Sequence, residues 1–111
     1  MSELSEVGNV MQISLAREHT TATVSLNGRF DFNTLPDFRQ ICDALPGEAE
    51  LQRVQVDFLA VDYLDSSALS VLLMLREKLM GAGKEIVLTG VHGNVRQVLD
   101  VANFNRLFSI V

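Results

Sequence analysis

The sequence predicts an α/β domain, a small mixed sheet of four to five strands with helices packed mainly on one face. Two observations predict it. Short alternating or apolar stretches are interleaved with stretches whose apolar residues recur at helical spacing. Strands separated by helices imply parallel pairing through right-handed crossovers. The first two strand-like stretches are instead joined by a polar turn, which implies an antiparallel hairpin and makes the sheet mixed. At 111 residues, 48% of them hydrophobic, the chain has material for one core and one domain spanning 1–111.

In chain order, residues 1–9 read as a loose polar tail. Residues 10–16 alternate, with Met11, Ile13 and Leu15 on one side and Gln12 and Ser14 on the other, as in a strand with one face open. Arg17 to Thr21 is the turn. Ala22, Val24 and Leu26 alternate with Thr23, Ser25 and Asn27 in a second strand that Gly28 ends. Asn33-Thr34-Leu35-Pro36-Asp37 reads as a helix start, with Thr34 as cap, Pro36 in the first turn and Asp37 at the positive end. Leu35, Phe38, Ile41 or Cys42, and Leu45 continue that helix, and Pro46-Gly47 stops it.

Arg53 to Phe58 reads as a third strand, from which Leu59 to Leu64 leads out. A long apolar helix follows, roughly Ala68 to Met80, and Gly81-Ala82-Gly83 ends it. Glu85 to Thr89 forms another strand with a buried apolar run. Asn94 is placed to cap a third helix with Val95, Val98, Leu99 and Ala102 on its apolar face. Phe104 to Val111 packs the end, with room for a short last strand.

Charge and composition exclude several function classes. A formal net charge of −5 disfavours nucleic acid and anionic membrane surfaces, which are bound through basic side chains. Residues 1–8 are polar and acidic, unlike a signal peptide. The longest apolar run, Val71 to Leu75, is far short of the ~20 residues of a membrane span. A soluble cytoplasmic protein is expected. Cys42 is the single cysteine, on the apolar face of a helix, and is expected to be a small buried hydrophobe. No clustered ligand set points to a metal, and no cofactor is expected.

The stretch that carries function is Val61-Asp62-Tyr63-Leu64-Asp65-Ser66-Ser67-Ala68-Leu69, where a strand hands over to the long helix. A helix start carries free backbone N–H groups and a partial positive charge. A hydroxyl there is a cap, or a place where a phosphate is stabilised. Projected at 100° per residue, Ala68, Leu69, Leu72, Leu75 and Leu79 form the core face. Ser67, Ser70, Met74, Glu77 and Lys78 lie opposite, and Ser66 lies near Ser70 and Leu73. Short polar groups beside soft apolar ones suit protein docking.

This stretch resembles the STAS domain of anti-sigma factor antagonists. The early segment Val24-Ser25-Leu26-Asn27-Gly28-Arg29-Phe30-Asp31 is similar to the family's strand and Gly-x-Leu-Asp turn, with Phe30 in place of leucine. Ala68 stands where glycine is common. The resemblance covers nearly the whole chain. It implies that Ser66, directly after the aspartate, is the phosphorylated residue, with Ser67 the runner-up. It implies a partner surface of Asp31, Asp65, Ser66, Ser67, Ser70, Leu73 and Met74. It further implies that the unphosphorylated form binds an anti-sigma factor or serine kinase of the histidine-kinase-like ATPase type and frees a sigma factor. Phosphorylation ends that binding, and a PPM-type serine phosphatase restores it. The alternative is a STAS subunit of a transport complex or sensory assembly, with a structural serine.

Rival motifs fail. Met80-Gly81-Ala82-Gly83-Lys84-Glu85 lacks the upstream glycine and the Ser/Thr of a phosphate loop, and it runs from helix to strand. Gly90-Val91-His92-Gly93 is the turn into the third helix and no dinucleotide fingerprint. Ser66 lacks the glycines of a nucleophile elbow. His19 and His92, the only candidate bases, are expected to be solvated loop residues. No enzyme activity is expected.

Overall fold

The computed structural model describes residues 12–111; the expected tail over residues 1–9 and Met11 lie outside the described residues. A five-stranded sheet runs in chain order, β1 (Gln12–Glu18), β2 (Thr21–Phe30), β3 (Arg53–Leu64), β4 (Glu85–Thr89) and β5 (Ser109–Ile110). β1 and β2 pair antiparallel, and every later pair is parallel. Three helices connect the parallel strands: α1 (Leu35–Cys42), α2 (Ser66–Gly81) and α3 (Gly93–Val101).

The strand register explains which face the helices cover. Ala22 pairs with Val54 and Val54 with Ile86; Val24 pairs with Val56 and Val56 with Leu88. These side chains share one face, and all of them are buried. Thr23, Ser25, Gln55 and Asp57 lie on the other face and are half-exposed. Phe30 is fully buried at the end of β2, with its ring centroid 4.9 Å from Phe38 of α1 and 6.3 Å from Phe58 of β3. A side chain of that size, fully buried, contributes about 1.5–3 kcal/mol. Phe30 therefore fastens α1 onto the sheet beside the predicted site.

β3 is longer than the pattern indicates. Leu59 to Leu64 does not lead out of the strand but continues it, paired with β2 alone, after β4 stops at the Asp57–Thr89 pair. The register shifts twice. Between Asp57 and Ala60 β3 advances three residues while β2 advances two, and it gains one more between Val61 and Tyr63. Such bulges break the alternation that marks a strand. Asp57 Oδ1 accepts the Leu59 N–H at 3.0 Å and closes the first bulge. Gly90 packs directly on this bulge. A Cβ there would lie 2.7 Å from Asp57 Oδ1 and 2.7 Å from the Leu59 nitrogen, and its φ is +68. His92 is not merely solvated, because its Nε2 lies 2.9 Å from the Leu59 carbonyl oxygen. His19 is exposed in the hairpin turn, as expected, at φ 56.

The helix caps differ from the expected ones. Thr34 is buried and makes no side-chain cap to α1. It closes a capping box with Asp31 one turn earlier: Asp31 N–H donates to Thr34 Oγ1 at 3.0 Å, and Asn33 N–H donates to Asp31 Oδ1 at 3.0 Å. Asn94 lies inside α3, whose cap residue is His92, without a side-chain cap bond. Lys84, the lysine of the rejected phosphate loop, is 9% exposed. Its Nζ donates to the carbonyls of Glu48 at 2.7 Å and Leu51 at 2.8 Å, which fixes the turn before β3. Cys42 is buried, as expected, and burial chiefly, with Asp43 adding to it, pushes its thiol up to about 12.

Candidate functional site

The site lies where the parallel strands β2 and β3 end side by side. Phe30 and Leu64 are their last paired residues, and the Asp65 N–H donates to the Phe30 carbonyl at 3.3 Å. Beyond this point one chain segment turns into Asp31–Thr34 and the other starts α2. The carboxyl ends of parallel strands, where helix N-termini gather, are the usual place for a site on such a sheet.

Asp65 is the residue that assembles it. It is the N-cap of α2, and its Oδ1 accepts the Ala68 N–H at 3.0 Å. Its Oδ2 accepts the Phe32 N–H at 3.1 Å. One carboxylate thus caps the helix and ties the β2–α1 turn to it. Phe32 is left 68% exposed beside the helix start. The sequence reading passed over Phe32. Its only signal is an aromatic residue set among polar ones, Asp31-Phe32-Asn33.

Ser66 is the first residue of α2 and is exposed; Ser67 follows and is half-buried. The first intrahelical bond is Leu69 N–H to the Asp65 carbonyl at 3.2 Å. The amides of Ser66 and Ser67 therefore precede the helical ladder. Because Asp65 supplies the cap, the Ser66 hydroxyl is not needed for it. Ser70 and Met74 are exposed on the following turns, and Leu73 is half-buried. Arg39 of α1 reaches over to Met74, with Nη2 3.4 Å from Sδ.

Asp31 makes local contacts: besides its role in the capping box, it sits 3.6 Å from Arg29, whose guanidinium stacks 4.0 Å from the Tyr63 ring centroid. One expected assignment changes. The core face of α2 is Ala68, Val71, Leu72, Leu75 and Leu79, with Leu69 half-buried at its edge. Val71 joins the core because α1 packs beside α2, and Phe38, Cys42 and Val71 line the seam between them. His92 Nε2 lies 2.9 Å from the Leu59 carbonyl oxygen, which can only accept, so this nitrogen carries the proton in that contact.

The family model described as "Mlab, STAS domain" matches residues 13–111. The chain belongs to the STAS-domain family. A STAS-domain containing protein of Pseudomonas aeruginosa (strain UCBPP-PA14) is 39% identical over 88 residues, covering 79% of this chain and 85% of the relative. Among solved structures, an anti-sigma factor antagonist from Mycobacterium paratuberculosis has a TM-score of 0.82 at 20% identity, over 92% of this chain and 86% of its own. The anti-sigma factor antagonist SpoIIAA in its unphosphorylated form has a TM-score of 0.73 at 16% identity, over 90% and 87%. A sulfate transporter family protein from Wolinella succinogenes has a TM-score of 0.72 at 17% identity, over 85% and 75%. At these identities the solved structures show the shared STAS fold. Among the described residues, no helix is long and apolar enough to cross a membrane.

Proposed function

We propose that this STAS domain is a phosphorylation-switched docking protein of the cytoplasm, with Ser66 as the modified residue. Its unphosphorylated form binds an anti-sigma factor or serine kinase of the histidine-kinase-like ATPase type and thereby frees a sigma factor. Phosphorylation of Ser66 ends the binding, and a PPM-type phosphatase reverses it. The chain is the substrate and ligand of these enzymes and performs no catalysis itself.

One observation carries this reading. The Ser66 hydroxyl is exposed at the first position of α2 while its neighbour Asp65 does the capping. A phosphate on Ser66 adds about −1.5 to −2 charges. The helix N-terminus accepts that charge internally, so the fold persists. A partner seated on Phe32, Ser66, Ser70, Leu73 and Met74 meets new bulk and charge in the middle of a partly apolar surface. Docking is lost without unfolding. The fold neighbours described as anti-sigma factor antagonists support the same partner class.

Intact-mass spectrometry with peptide mapping of the protein from its own cells tests the switch. A fraction carrying one phosphate on Ser66 is expected, and it should be the fraction absent from a co-purified partner. Ser66 unmodified across growth conditions, in a stable complex with a transporter subunit, would sink the switch. It would leave a STAS module with a structural serine.

A further inference from the structure

Among the described residues, the outer edge of β1 carries no further strand. Edge strands are normally blunted by shortness, proline, a bulge or charge, because their unpaired backbone groups template further pairing. At the opposite edge, β5 is only two residues long. β1 has seven residues, no proline, and an unbroken register against β2 from Gln12–Asn27 to Glu18–Thr21. Among the described residues, β2 is its only strand partner. Its first five residues, Gln12 to Ala16, are uncharged. Arg17 is turned onto its own chain, where its Nε donates to Glu48 Oε1 at 3.0 Å.

The side chains beside this edge are incompletely covered. Ile13 and Leu15 point to the helix side and stay half-buried. Ile13 shares an open hollow with Asp37, Gln40 and Ile41 of α1. Gln12, Ser14 and Ala16 are exposed on the other face. A strand laid along the edge would complete the cover over Ile13 and Leu15.

We propose that a second copy of this chain supplies that strand. The two β1 strands run antiparallel about a two-fold axis at Leu15 and join two five-stranded sheets into one. The register is self-complementary. Leu15 meets Leu15, the small Ser14 and Ala16 face each other twice, and Gln12 faces Glu18, which can accept its amide N–H. Arg17 faces Ile13, so no like charges are opposed. This is the self-complementary surface that a two-fold interface requires. α1 contacts both β1 and α2, and so lies between the edge and the Ser66 face. The dimer therefore leaves both Ser66 faces away from the shared edge.

Sedimentation velocity of the full chain, from micromolar to near-millimolar concentration, tests this together with two double variants at exposed positions. Ser14→Lys with Ala16→Lys opposes like charges at both Ser14–Ala16 pairs. Ser14→Lys with Ala16→Glu opposes unlike charges at the same pairs. The expected result is a concentration-dependent wild-type dimer and a dissociation constant differing roughly 10-fold or more between the variants, weaker for Lys/Lys. A wild type that stays monomeric throughout, or a dimer indifferent to the sign of the charge at position 16, overturns the proposal. So does a monomer whose residue 12–18 amides resist hydrogen exchange on the free edge, since that assigns the edge to the chain's own residues 1–11.

Discussion

The Asp65 carboxylate accepts the backbone N–H of Phe32 at 3.1 Å, across 33 positions of sequence. The same carboxylate caps α2 through Ala68. The helix start and the exposed aromatic beside it are thus held by one side chain.

Replacing Asp65 tests this joint role. Asp65→Ala should cost about 2 kcal/mol, from a lost N-cap and an unpaired Phe32 amide. Asp65→Asn should cost less, because the amide oxygen still accepts one bond. Urea unfolding of the three proteins checks the order. Equal midpoints would mean that the cap seen at Asp65 contributes nothing to stability.

At Ser66, binding and stability should separate. Ser66→Asp should weaken partner binding while changing stability by at most about +1 kcal/mol, since negative charge at a helix N-terminus is favourable. Ser66→Ala should bind constitutively. Met74→Asp should also weaken binding with little change in melting temperature, because Met74 faces out. Isothermal titration against the purified partner, paired with thermal melts, reads both quantities. Equal affinities for wild type, Ser66→Ala and Ser66→Asp would remove the switch.

Gly90 should be intolerant. Gly90→Ala places a methyl group against Asp57 Oδ1 and the Leu59 backbone, at a φ that disfavours a side chain. The expected loss is at least ~2 kcal/mol. Gly47, with no atom near its missing Cβ, is the control, and Gly47→Ala should be close to neutral. Matching melting temperatures for the two variants would contradict the close approach.

Lys84→Met keeps the volume of the side chain and removes its two hydrogen bonds. It should cost roughly 2 kcal/mol by taking the ammonium from the Leu51 carbonyl and leaving the Glu48 carbonyl only the Leu51 N–H. Chemical denaturation is the measurement; an unchanged midpoint would show that the turn before β3 does not need the ammonium.

Cys42 should be silent toward thiol reagents in the native state near pH 8, because burial holds its thiol up at about 12. Labelling should follow unfolding and accelerate with urea. Fast labelling of the folded protein would place the thiol at the surface.

The strand and helix order could be read from the sequence because each segment's periodicity agrees with its final environment. Ile86, Val87 and Leu88 are apolar and buried, and Glu85 to Thr89 forms the strand expected. The Ser66 start of α2 was legible from the Asp-Ser-Ser handover. The second half of β3 was not, because its two bulges erase the alternation. Phe32 was missed for a different reason. Its place in the site is set by a hydrogen bond to Asp65, a contact that spacing along the chain cannot reveal. Lys84 reads as surface charge in any composition, and only the folded turn supplies the carbonyls that bury it.

The two bulges of β3 have a consequence for the proposed modification of Ser66. Beyond the first of them β3 pairs with β2 alone, and where these two strands end Phe32 and Ser66 come together from segments distant in sequence. An enzyme that touches both residues recognises a shape that exists only in the folded chain. A synthetic peptide spanning residues 58–76 contains the serine and its neighbours, yet it lacks that shape and should be a poor substrate and a poor competitor.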